Sequence, residues 1–135
     1  MRTLALILTL SVAPAASAVV RDFSIDLDVA QSTTAQPGAA GSGTGSATLD
    51  TDTNLFSWNF SWAGTTGNET DAHFHLGALG VPGGVVLGLP AGSPKVGSST
   101  VSDPQEANLL ASLWYVNVHT ELNGPGEIRG QLIQQ

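Results

Sequence analysis

Four large aromatic side chains, Phe56, Trp58, Phe60 and Trp62, stand at alternate positions with Ser57, Asn59 and Ser61 between them. Only an extended strand sends residues i, i+2, i+4 and i+6 to one side, so the stretch predicts a strand with one face buried. A helix would scatter the same rings around its circumference. Two of the three tryptophans lie on this stripe. Rings of that size typically fill a sandwich interior, so the stripe reads as core and not as a sugar platform.

The same period recurs along the chain. Residues 23–29 alternate through Phe23, Ile25 and Leu27, and residues 43–49 run into an Asp/Thr/Asn turn at 50–54, the first arm of a hairpin. Residues 31–46 are rich in Ser, Thr, Ala and Gly, which a flexible connection would also be. In residues 71–76, Ala72, Phe74 and Leu76 face one way while Asp71, His73 and His75 face the other. Residues 85–89 make a short strand. Residues 103–110 form the one helical segment, with Asp103 placed as N-cap and Pro104 at the first helical position. Residues 113–120 set Trp114, Val116 and Val118 against Tyr115, Asn117 and His119. After a turn at 123–126, residues 127–133 set Ile128 and Leu132 against Glu127, Arg129 and Gln131. Seven to eight short strands with close turn signals predict an all-β antiparallel β-sandwich, of Greek-key, immunoglobulin-like or superoxide dismutase-like form.

Residues 1–18 read as a signal peptide: Arg2, an apolar run from Leu4, then Ala16-Ser17-Ala18 as cleavage site. The run is too short for the roughly 20 residues that cross a bilayer. The expected product is one domain, residues 19–135, secreted or periplasmic, with no membrane span. The chain has no cysteine, which excludes disulfides, thiolate nucleophiles and Cys-ligated metals. Four basic residues against 11 acidic ones, for a net charge of −7, argue against nucleic acid as partner. No G-x-S-x-G, H-E-x-x-H or P-loop motif is present.

All three histidines fall on polar strand faces. His73 and His75, at i and i+2, project side by side, and His119 completes a three-imidazole set if its strand lies beside theirs. A hairpin register with His119 across from Glu127 and Asn117 across from Arg129 keeps the polar rows together. One account makes this face a surface hydrogen-bonding network tying strands together. The other holds a single metal ion, copper or zinc, on His73, His75 and His119, with Asp71, Asn117, Glu127 and Arg129 around it.

Residues 47–60, the segment Ala72-His73-Phe74-His75, the run Tyr115-Val116-Asn117-Val118-His119-Thr120 and the run Gly126-Glu127-Ile128-Arg129-Gly130-Gln131-Leu132 together resemble the CHRD (chordin-type) domain family. The resemblance covers about residues 23–133. It implies an all-β extracellular domain without an assigned activity; in chordin such repeats belong to a protein that binds growth factors. The family's usual His-x-His-Gly-Pro turn is replaced here by Leu76 and Gly77. A looser similarity links His-x-His, a later histidine and an arginine to copper–zinc superoxide dismutases, but the chain has too few histidines for their two-metal site. The expected function is therefore a binding or structural module holding a metal ion or an extracellular protein. The alternatives are a copper-dependent redox enzyme and an interaction module without metal.

Overall fold

The computed structural model describes residues 19–135, and the leader expected at 1–18 lies outside them. The strands are β1 (Val20–Asp28), β2 (Ser42–Asp50), β3 (Leu55–Ala63), β4 (Glu69–Leu76), β5 (Val85–Gly88), β6 (Lys95–Thr100), β7 (Trp114–Thr120) and β8 (Ile128–Gln134), with one helix, α1 (Asp103–Leu110), between β6 and β7. They form one antiparallel sheet in the order β5-β4-β7-β8-β1-β2-β3-β6. The all-β sandwich expectation holds, and its two layers are the two halves of this sheet curled onto each other.

The aromatic stripe drives that curl. Phe56 and Trp58 of β3 meet Phe74 of β4 edge-on at 5.3 and 5.4 Å, and Phe56 meets Trp114 of β7 at 5.6 Å. β3 sits at the opposite end of the strand order from β4 and β7, so only face-to-face folding of the sheet brings these rings together. Phe23, Ile25 and Leu27 of β1 and Val116, Val118, Ile128 and Leu132 complete the core. Trp62, the last ring of the stripe, is half-buried and packs at its margin. Gly97 makes room for the stripe: a Cβ there would stand 2.7 Å from the Trp58 ring.

Two local expectations are corrected. Ser102, not Asp103, is the N-cap of α1; its side chain and that of Gln105 form a reciprocal capping box, which places Asp103 inside the first turn. Leu76 is exposed and does not join Ala72 and Phe74 in the core. β4 is irregular between Phe74 and His75 in its pairing with β5, and Leu76 closes the strand with its N–H donating to Gly84 O.

The larger finding concerns the polar face of β4, β7 and β8. Period-two patterning leaves it free for solvent, yet Tyr115, Asn117, Arg129, Gln131 and His75 are all buried. Loops 29–41, 77–84 and 121–126 cover them, and the loop backbones supply the acceptors that polar side chains need when they leave water. Gln131 donates to Gly77 O and Ser112 O, Arg129 to Ala78 O and Val81 O, and Asn117 to Pro125 O. The domain thus has an aromatic interior on one side of these strands and a hydrogen-bonded polar interior on the other. The 29–41 connection is fastened to this layer: Ser32 and Thr34 hydroxyls donate to Gly126 O and Pro125 O.

Candidate functional site

β4 supplies His73 and His75 and the neighbouring β7 supplies His119. The pairs Asp71↔His119 and His73↔Asn117 set the three rings on one face within two registers of one another. One nitrogen from each ring lies within 4.8 Å of the other two. The remaining nitrogens show which one that is. His75 Nδ1 stands 3.0 Å from Gly83 O, and His119 Nδ1 stands 2.8 Å from Gly124 O. A carbonyl only accepts, so both Nδ1 atoms carry the proton and both Nε2 atoms present lone pairs. Among the described residues, His75 Nε2 is buried without a partner.

His73 poses a proton-counting problem. Its Nε2 lies 3.0 Å from Asp71 Oδ2 and its Nδ1 lies 3.2 Å from His119 Nε2. A neutral ring has one N–H. Given to the carboxylate, it leaves two lone pairs facing each other at 3.2 Å; given to His119, it leaves a lone pair against a carboxylate oxygen. Either a second proton on His73 or a cation held between His73 Nδ1, His75 Nε2 and His119 Nε2 removes the conflict. A carbonyl or carboxylate on each ring's far nitrogen is also the arrangement that fixes metal-ligating imidazoles.

Electrostatics favour the ligating form of His75. Burial holds it below its ordinary imidazole value; the Gly83 hydrogen bond pulls the other way, and His119, His73 and Arg129 reinforce the burial. The His75 ring stacks on Tyr115 at 4.9 Å and 9°. The guanidinium of Arg129 lies over the Tyr115 ring at 3.5 Å.

The four polar residues expected around the histidines separate in the structure. Asp71 touches His73 directly. Asn117 and Arg129 pair across β7 and β8 as expected and line a small cavity with His75. Glu127 does not join them. Gly126, at φ 127°, turns the chain just before it, and the Glu127 N–H donates to Val118 O. The carboxylate consequently points to the Thr120 side. There it is fully buried and accepts from Ala40 N–H, Thr66 N–H, the Thr66 hydroxyl and the Thr120 hydroxyl. Burial alone raises its pKa, but these four hydrogen bonds outweigh that and hold it at about 2. Glu127 is a knot tying three loops together, away from the histidines.

The sequence reading missed Tyr115 as the plate between His75 and Arg129, although its position on the histidine face was visible in the alternation. It also missed Gly83 and Gly124, whose contribution is a backbone carbonyl and carries no side-chain signal.

The matching model in the comparison with protein families is the CHRD domain, over residues 23–132. The chain belongs to the CHRD family. No curated protein and no solved structure matches it. The CHRD match spans every strand that carries a histidine, so the triad is set within the family domain and not on an appended segment. Among the described residues, no helix of this CHRD domain is long and apolar enough to cross a membrane.

Proposed function

We propose that this CHRD domain is an exported binding module that holds one transition-metal ion, copper or zinc, through His73 Nδ1, His75 Nε2 and His119 Nε2. The observation that carries the reading is the convergence of three imidazole nitrogens whose opposite nitrogens are each engaged by Asp71, Gly83 O or Gly124 O. Imidazole suits both metals, and three protein ligands leave a coordination position open. Export is supported by the leader pattern at 1–18, and a mature chain beginning at Val19 in the extracytoplasmic fraction is its test.

Elemental analysis after exposure to copper and zinc is expected to give one ion per chain, lost in His75→Ala and in His119→Ala. Absence of stoichiometric metal with both ions offered refutes the reading. If metal binds, superoxide or peroxide turnover by the loaded protein separates a redox enzyme from a metal carrier. A second reading, as a protein-interaction module, draws support from the exposed Leu79, Val81 and Val85 beside edge strand β5. A protein partner whose binding survives His119→Ala and is lost on Val85→Lys favours it.

A further inference from the structure

A partly enclosed cavity of about 110 Å³ adjoins the histidines, lined by His75, Tyr115, Asn117 and Arg129 and by the loop carrying Ser32 and Thr34. Two buried side-chain atoms without a hydrogen-bond partner among the described residues, Asn117 Oδ1 and Arg129 Nε, belong to residues that line it, while His75 Nε2 is turned towards the other two imidazoles. Orphaned polar atoms are rare in folded proteins, and two at one cavity point to an occupant that satisfies them. His73 and His119 do not line it.

The orphans specify that occupant's chemistry. Asn117 Nδ2 donates to Pro125 O, and the backbone at Gly126 packs against the amide closely enough that no Cβ fits there. The Pro125 bond fixes which end of the amide is Nδ2 and leaves Oδ1 unpartnered among the described residues, an acceptor that needs a donor. Arg129 Nε–H is a donor that needs an acceptor. Charge narrows the choice further. The other guanidinium hydrogen bonds go to Val81 O, Ala78 O and Gln131 Oε1, all neutral. Arg129 is 2% exposed and, among the described residues, pairs with no carboxylate, in a chain with 11 acids. Lys95, the other buried cation, has Glu69 at 2.7 Å. A buried cation without a counter-ion is unfavourable, and an anion beside it removes the penalty. The volume admits a small polyatomic ion and not merely one water.

We propose that this cavity binds a small monovalent oxyanion that carries its own hydroxyl, the hydrogencarbonate class, with a charged oxygen on Arg129 Nε–H and the hydroxyl donating to Asn117 Oδ1. The site goes beyond the metal reading and does not depend on it, because the guanidinium and amide are in place without an ion on the histidines.

The test is calorimetric titration of the metal-free protein with hydrogencarbonate, nitrate and chloride in turn. Hydrogencarbonate is expected to saturate one site. Nitrate, planar and equally charged but without a proton, leaves Asn117 Oδ1 unpaired and is expected to bind about tenfold more weakly or worse. Asn117→Asp places a carboxylate beside Arg129 and is expected to weaken hydrogencarbonate about tenfold or more, with the fold checked by near-ultraviolet circular dichroism of the buried tryptophans. The proposal is overturned by absence of saturable binding to the wild type, by nitrate or chloride binding equal to hydrogencarbonate, or by a folded Asn117→Asp that binds unchanged. Should Asn117→Asp fail to fold, the nitrate comparison on the wild type still decides.

Discussion

Glu127→Gln is the perturbation with the most definite expectation. The carboxylate is fully buried, and its two oxygens collect four hydrogen bonds from Ala40, Thr66 and Thr120. Its pKa falls from an ordinary 4.5 to about 2 on folding. Each tenfold change in proton affinity corresponds to about 1.4 kcal/mol, so the ionised group stabilises the fold by about 3 kcal/mol relative to its protonated form. Because the folded value lies below the unfolded one, that contribution is fully present above pH 4.5. It fades as the pH falls from 4.5 towards 2. Glutamine keeps one acceptor oxygen but has no charge to strengthen the bonds and no proton to gain. Urea unfolding of both proteins at pH 7 and near pH 2 is the assay. The stability gap between wild type and variant is expected to shrink by about 3 kcal/mol between those two pH values. A gap that stays constant across the acid range would refute the assignment of Glu127 as an ionised loop knot.

Asp71→Asn weakens the hold on the His73 tautomer and is expected to lower metal affinity by about 10–100-fold without unfolding the domain, as read by chelator competition. The Lys95 side chain is 1% exposed and bonds to Glu69 and to Pro90 O. Glu69→Ala, which leaves the ammonium buried without its partner, is expected to cost about 3–5 kcal/mol in denaturant unfolding, and pairing it with Lys95→Met to recover much of that. Gly97→Ala drives a methyl into the Trp58 ring and is expected to cost about 1–3 kcal/mol with a changed near-ultraviolet dichroism signal. If the triad binds zinc, thermal unfolding is expected to shift upward with zinc concentration in the wild type and not in His119→Ala.

Alternation was legible wherever one face of a strand meets the aromatic core. Phe56, Trp58, Phe60 and Phe74 are where period two puts them because a buried ring has no alternative environment of similar free energy. Ser102 stands as N-cap in place of Asp103 and closes a capping box with Gln105, although Glu106 stands at the same spacing from Asp103. The polar face was harder to read. A strand face of His, Asn, Arg and Gln looks the same in sequence whether water or a loop covers it. The cover here is made of backbone carbonyls, which every residue possesses.

The sequence by itself determined an all-β antiparallel domain with its aromatic layer, the placing of the three histidines on polar strand faces, and the exclusion of thiol chemistry. Those follow from residue type and a fixed period of two. Tertiary structure alone decided that β4 and β7 lie side by side, that the polar face is interior, that Glu127 turns away to bind loops, and that Arg129 is buried without a counter-ion among the described residues. The last three depend on where loops 29–41, 77–84 and 121–126 come to rest. That placement follows from contacts between residues as far apart in the chain as Ser32 and Gly126, which local pattern does not encode.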